Sequence, residues 1–386
     1  LKVSQIRCPL QEAAQISRHR PAILSPEGLL RFGHLEQCVE ATTGILATVG
    51  VERGERIVTA LRSSWRLPIV LLSAWRRGAM VCPVDYSLSD RDLMRCIDLA
   101  RATMIITEKD WVPRFNRLVN LPAADVERIT GVVNPGKAAH RPVRLRLDEP
   151  ATMFFVSEEG RFRGIVHTVE GHYYSAVGSN LNIRLHSNDR WLLNVPPHVV
   201  SWVGIMFRCL LGGACMVIPD PTMELAAALR EFGITHVSVT PHEFSRLLAA
   251  GADGRSLPHL QHLIVRGIPE ESELREAESR GFRVHPCYGS VEMASQIAVS
   301  SDVDGPQQRA TSGKILPYRQ VKIDAEGHIH VRGRTLFSAS VREGAPADST
   351  TAEFAPGGWF NTGDQGSVDK DGYLRIRKLQ RPEQDW

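Results

Sequence analysis

Short apolar runs separated by capped amphipathic stretches recur along most of this chain, and no other feature constrains its fold as tightly. "IVTAL" (57–61), "LPIVLLSAWRRG" (67–78), "MVCPV" (80–84), "SDRDLMRCIDLAR" (89–101) with Ser89 as its N-cap, and "TMIIT" (103–107) read as alternating strands and helices. Parallel strands need a crossover long enough to hold a helix, so this order implies βαβ units and a parallel sheet. The pattern returns at "WLLNV" (191–195) and continues through "CMVIP" (215–219), "THVSVT" (235–240), "HLIVRG" (262–267) and "FRVHPCYG" (282–289), with helical stretches between them. Beyond Thr311 the texture becomes alternating: "QVKIDAEGHIHVRG" (320–333) and "GSVDKDGYLRIR" (366–377) carry turns at Glu326-Gly327 and Asp371-Gly372. The expected architecture is α/β, with two doubly wound subdomains over about 1–310 and a β-rich subdomain over about 311–386. Residues 108–150, interrupted by Pro113, Pro122, Pro135, Pro142 and Pro150, read as a connector with one weak helix.

A chain of 386 residues has material for two or three cores. Its 46 Lys and Arg against 43 Asp and Glu leave a net charge of +3, too little to argue for nucleic acid or an anionic membrane as partner. The seven cysteines are odd in number and lack a CxxC pair, which points to reduced core thiols in a cytoplasmic protein. The first residues contain no apolar signal segment. The longest apolar tract (203–219) is broken by Arg208 and Gly212-Gly213, so it reads as helix then strand, not as a membrane span.

One stretch raises a chemical question. In "MFFVSEEGRFRGIVHT" (153–168) a strand runs into a short polar turn, the layout of a loop that wraps backbone N–H groups around phosphate. Such loops favour Gly, Ser, Thr and Lys, yet Glu158 and Glu159 stand in this one. Three more segments follow in order: "CYGSVEMAS" (287–295), "TSGKILPYRQVKI" (311–323) and "GWFNTGDQGSVDKDGYLRI" (358–376). Together the four resemble the motifs of the adenylating superfamily, which contains acyl-CoA synthetases, peptide-synthetase adenylation domains and luciferases. "WLLNVPPHVVSWVGIMFRCLLGGA" (191–214) is similar to the acyl-pocket helix of o-succinylbenzoate–CoA ligases. The resemblance runs from about residue 10 to about 377 and makes the whole chain one AMP-binding adenylating domain.

The resemblance implies roles for named residues. Ser157, Gly160 and Arg163, the last at the position of a family lysine, are the remnants of the phosphate loop. Tyr288 would stack on adenine, with Gly267, Gly289 and Ser290 beside the nucleotide. Glu292 would hold Mg²⁺, and Asp364 would accept hydrogen bonds from the ribose hydroxyls of ATP or AMP. His198, Trp202, Gly313 and Lys314 would line the acyl pocket. Each has a plainer alternative: a core tyrosine or tryptophan, a helix-start glutamate, a turn aspartate or glycine. The phosphate loop is one residue shorter than the family's Ser-Gly-Thr-Thr-Gly-x-Pro-Lys-Gly and lacks both threonines, and Val291 replaces a family threonine. The family's small C-terminal domain, with its catalytic lysine, lies beyond the segment that ends at Trp386. The expected activity is ATP-dependent adenylation of a flat aromatic carboxylate, without thioester formation by this segment. Similarity to single-domain adenylating proteins of phenazine antibiotic tailoring suggests phenazine-1,6-dicarboxylate as substrate and a downstream reductase or transferase as partner. A non-catalytic binding protein of the same fold, or a ligase whose last domain lies outside this segment, are the alternatives.

Overall fold

The protein is described here by a computed structural model covering residues 4–130, 142–267, 269–344 and 354–380. Among these residues the strands form two large sheets, a four-stranded antiparallel sheet and a two-stranded pair. The first large sheet runs in the order Ala339–Arg342, Arg161–Thr168, Pro150–Glu158, Met80–Pro83, Arg56–Ala60, Met104–Thr107, Ala123–Asp125. The second runs Lys314–Ile315, Ser295–Val299, Val284–Ser290, His262–Arg266, His236–Val239, Arg190–Leu192, Cys215–Val217, Pro21–Ser25, Gly28–Arg31.

Local chemistry explains the crossovers. The helix Asp90–Ala100 starts where the Ser89 side chain accepts from the Asp92 N–H, and Arg66–Arg77 stops at Gly78 in the left-handed conformation (φ 74°). The strand Met80–Pro83 is buried throughout and Arg56–Ala60 from Ile57 onward, as parallel strands inside an α/β sheet are. All seven cysteines are buried, and none forms a disulfide. No helix among the described residues is long and apolar enough to cross a membrane; the 203–219 tract is the end of helix Val200–Gly212 followed by strand Cys215–Val217.

The chain does not divide as cleanly at residue 311 as its texture suggests. Lys314–Ile315 adds to the second large sheet and Ala339–Arg342 to the first, before the four-stranded sheet (Arg319–Ile323, His328–Gly333, Phe360–Val368, Leu374–Lys378) is complete. The N-terminal hairpin Pro21–Ser25/Gly28–Arg31 likewise closes the far edge of the second sheet, beside Cys215–Val217. Edge strands leave unpaired backbone groups, and distant segments cap them here. The connector is also richer than one weak helix: it holds Val112–Leu118, the strand Ala123–Asp125, the short helix Val126–Ile129 and Arg144–Arg146, which pairs with Gln5–Arg7. Pro135 lies outside the described residues.

Arg190–Leu192, Cys215–Val217, His236–Val239, His262–Arg266 and Val284–Ser290 are mutually parallel. Their carboxyl ends therefore share one edge, the place where open α/β sheets bind ligands.

Candidate active site

The opening stretch is a tight β-hairpin. Pro150–Glu158 and Arg161–Thr168 pair antiparallel with Arg161 opposite Glu158 and Phe162 opposite Ser157, leaving Glu159 and Gly160 as a two-residue turn. Both turn residues have positive φ (51° and 78°), as a type I′ hairpin requires. Arg95 fastens the tip: it donates to the Gly160 carbonyl (2.7 Å) and pairs with Glu343 (2.6 Å), whose carboxylate also accepts from the Phe162 N–H. Ser157, in the paired strand, and Gly160, in the turn, thus belong to an exposed, fully zipped hairpin tip, which corrects the reading of this segment as a phosphate loop. With the family's extra residue missing, the two strands zip together to their ends.

Arg163 and Glu292, both expected at the reacting phosphates, are brought together. Arg163 Nη2 lies 2.5 Å from Glu292 Oε1 and 3.1 Å from Glu158 Oε1, and the first two residues are 3% and 2% exposed. A fully desolvated guanidinium on the carboxylate does not fit a magnesium ion there. At about 4 Å, a divalent ion and a guanidinium repel by about 8 kcal/mol at an effective dielectric constant near 20. In this structure Glu292 is the ion-pair partner of Arg163. The turn it occupies is held on all sides: His167 Nε2 lies 2.7 Å from the Val291 carbonyl, and the Phe337 N–H donates to the Glu292 carbonyl (2.8 Å). Ala294 and Ser295 just beyond have φ of 52° and 103°, backbone strain of the kind that collects at functional sites.

Tyr288 and Asp364 also meet. The tyrosine hydroxyl donates to Asp364 Oδ2 (2.6 Å), and the Gln380 N–H donates to Oδ1 (2.8 Å). The Tyr288 residue is 1% exposed, so in this conformation its ring has no open face for adenine; burial and the neighbouring carboxylate push its pKa well up. A Cβ on Gly363 would strike the Gln380 side chain, so the segment after Leu374–Lys378 lies directly over the Thr362-Gly363-Asp364 motif. Gln380 thus covers Asp364 in this conformation. Ser290, at the end of the same strand, has a buried hydroxyl without a partner among the described residues. Gly267 (φ 122°) donates its N–H to the Cys287 carbonyl, and Gly289 sits at a bulge opposite Gln296.

The expected pocket residues disperse. Trp202 is fully buried with its indole N–H on Ser63 Oγ (3.1 Å), so it is a core residue and offers no stacking face. Gly313 is required by packing: a Cβ there would come within 1.9 Å of the Val299 carbonyl carbon. Lys314 points over the Tyr373 ring at 4.8 Å, away from any pocket. His198 lines a cleft of about 1120 Å³ between the two α/β halves, with its Nε2 3.9 Å from Asp85 Oδ2.

Two residues to which the sequence reading gave no role in the site stand out. Arg208, in helix Val200–Gly212, is buried and spends its donors on Asn180 Oδ1, Gln296 Oε1 and the Ile183 carbonyl, with its guanidinium 4.1 Å from the Trp191 ring centre. Arg319 is buried too, donating to the Pro317 and Ser175 carbonyls and to Ser175 Oγ. Neither has a carboxylate partner among the described residues. Burial lowers the Arg208 pKa to about 10, and burial together with the Arg208 charge lowers that of Arg319 to about 9. Arg208 lines a small cavity of about 20 Å³, together with Ser201, Arg266, Ser295 and Gln296. The arrangement is two buried cations without a carboxylate partner among the described residues.

The AMP-binding enzyme family profile matches residues 10–339. The chain belongs to that family. It is a ligase-like adenylating enzyme. The chain is 27% identical over 381 residues to the 2-succinylbenzoate–CoA ligase of Bacillus licheniformis, covering 95% of this chain and 78% of the relative. Among solved structures, o-succinylbenzoate CoA synthetase from Bacillus subtilis in complex with its acyl-adenylate superposes with a TM-score of 0.86, covering 98% of this chain and all of the other, at 20% identity. The same protein in complex with ATP and magnesium superposes at 0.85 over 97% of this chain and 79% of that one, at 21% identity. These structures establish the fold, that of the large domain of adenylating enzymes.

Two buried histidines of this AMP-binding enzyme make its stability acid-sensitive. His167 and His172 are fully buried with ring centres 5.3 Å apart. Burial, only partly opposed by the Val291 carbonyl and Glu292, lowers the His167 pKa to about 4, and burial with the His167 charge takes His172 well below its usual value. Unfolded, both accept a proton near pH 6.5; folded, neither does until far lower pH. Stability is therefore full above about pH 6.5 and is lost as pH falls toward 4, by about 1.4 kcal/mol per pH unit per group. Denaturant unfolding at stepped pH is expected to show a loss approaching 3 kcal/mol per unit below about pH 6. A flat profile between pH 6 and 4.5 would contradict the assignment.

Proposed function

We propose that this enzyme adenylates an aromatic acid that carries a second acidic group. The observation behind this reading is the pair of buried arginines, Arg208 and Arg319, that no carboxylate of the described chain neutralises. Buried charges are costly unless paired, so an anionic group of the ligand is the natural counter-charge. In the reaction, one carboxylate oxygen of the substrate attacks the α-phosphorus of ATP. The bond to the β-phosphate oxygen breaks, pyrophosphate leaves with the electron pair, and a mixed anhydride with AMP remains. Such a step depends on positioning and on charge placed in advance. Asp364 would hold the ribose once Gln380 lifts, Ser290 Oγ would offer a hydroxyl to the nucleotide, and Arg208 would meet the distal acid once the small cavity beside it opens and its bonds to Asn180 and Gln296 are exchanged. No step is assigned to magnesium at Glu292. The relatives' substrate, 2-succinylbenzoate, is an aromatic acid with two carboxylates, and phenazine-1,6-dicarboxylate belongs to the same class. A reductase or transferase would consume the anhydride, in antibiotic biosynthesis if the substrate is the phenazine.

Calorimetry with AMP tests the nucleotide assignment. Asp364→Ala is expected to weaken AMP binding at least about tenfold, the loss of hydrogen bonds to a charged acceptor. Equal affinity in both proteins would sink it. A second reading, a protein that holds an adenylate but does not cleave ATP, is favoured by the hairpin at Glu158–Arg161, which leaves the β- and γ-phosphates without a cradle.

A further inference from the structure

At the amino ends of the parallel strands, on the edge opposite Tyr288, three ligand-bearing side chains converge. His262 opens the strand His262–Arg266, His285 is the second residue of Val284–Ser290, and Asp302 follows the strand Ser295–Val299 in the next loop. His262 Nδ1 lies 3.1 Å from His285 Nε2, while Asp302 Oδ1 lies 3.4 Å from the first and 3.7 Å from the second. Two donor atoms each about 2.1 Å from a shared ion are about 3.0 Å apart at a right angle and about 3.4 Å apart at the tetrahedral angle. The edges of 3.1 and 3.4 Å fall in that range, and the third, 3.7 Å, closes to it with a small turn of the exposed Asp302 carboxylate. A hydrogen bond between the rings accounts for one edge; it does not bring the carboxylate onto the same point.

The surroundings favour coordination. His285 Nδ1 faces the Ser300 carbonyl at 3.2 Å. A carbonyl can only accept, so Nδ1 carries the proton and Nε2 turns its lone pair toward the other two groups, the outer-shell device that orients metal-binding histidines. Both imidazoles are buried, with His236 packed on His262 at 4.5 Å between ring centres, so the rings cannot swing apart. The Asp302 side chain is 42% exposed, which opens the point to solvent and leaves room for water ligands. Two cations oppose the site: Arg309, which donates to the Asp302 main-chain carbonyl at 3.5 Å, and Arg283, whose Nη1 lies 3.4 Å from the same Asp302 oxygen but whose half-exposed side chain can turn to solvent.

We propose that His262, His285 and Asp302 form a binding site for a divalent transition metal ion, zinc above all, separate from the nucleotide site. Two imidazoles and one carboxylate suit zinc, nickel or cobalt and do not suit magnesium. The ion would tie the starts of two parallel strands to the loop leaving an antiparallel one, and so brace the strand that carries Tyr288.

The test uses the whole 386-residue chain, stripped with a chelator and titrated with zinc against a chromophoric indicator. Wild type is expected to bind one more equivalent of zinc at micromolar affinity than Asp302→Asn, with magnesium in excess failing to compete. Asp302 lies at the surface, so Asp302→Asn should fold as wild type, and its AMP affinity checks that it does. Zinc should raise the thermal midpoint of wild type and leave that of Asp302→Asn unmoved, because only a ligand bound to the native state stabilises it. Arg283→Gln, which removes the opposing charge, should bind zinc severalfold more tightly. Equal zinc stoichiometry and affinity in wild type and Asp302→Asn, or no tight equivalent in wild type, would overturn the proposal.

Discussion

Arg163→Met is expected to destabilise the protein by about 3–5 kcal/mol, because it leaves the Glu292 carboxylate buried at 2% exposure without its counter-charge. The lost attraction is not the main cost. A carboxylate stranded in the interior must either stay charged out of water or take up a proton, and both are unfavourable. The double variant Arg163→Met/Glu292→Leu removes both charges at similar volume and should recover most of the loss. Guanidinium unfolding of the three proteins gives the comparison. Similar losses in the single and double variants would mean that Arg163 acts through packing under Phe360, not through Glu292.

The second large effect falls on Arg208→Leu. If the guanidinium receives the distal acid of the substrate, removing it should lower kcat/KM for an aromatic dicarboxylate by about 10²–10³, the scale of truncating one side of a buried charge pair. A monocarboxylate of the same ring should be scarcely affected. In the unliganded protein the removal of a buried charge is offset by the loss of its hydrogen bonds to Asn180 Oδ1, Gln296 Oε1 and the Ile183 carbonyl, so stability should change little. A fall in both stability and activity toward every carboxylate would mark Arg208 as a structural residue that supports Asn180 and Gln296.

The alternation of apolar runs and capped helices placed the parallel strands well, from Arg56–Ala60 to Val284–Ser290, because each carries its own signal in periodicity and caps. The edge pairings were not legible. Nothing local tells Pro21–Ser25 that its neighbour is Cys215–Val217, or Ala339–Arg342 that it will close the first sheet. In the site, Tyr288, Glu292 and Asp364 were found through motifs, but their partners were not: Asp364 is engaged by Gln380, and Glu292 by Arg163 from a strand 129 positions away. The hairpin at Glu159-Gly160 did have a signal. The same Glu-Gly pair between alternating residues marked the turn at Glu326-Gly327, and resemblance to a phosphate loop outweighed it at the first position. Arg208 also had one, a lone arginine in an apolar helix, which served only as an argument against a membrane span.

ATP–pyrophosphate exchange, measured with an aromatic dicarboxylate, its half-ester and its monoacid counterpart, addresses the central claim most directly. The account predicts exchange that depends on the dicarboxylate, is weaker by about a hundredfold with the half-ester, and is lost in Asp364→Ala. Tight AMP binding without exchange for any carboxylate offered would contradict it and leave an adenylate-binding protein in its place.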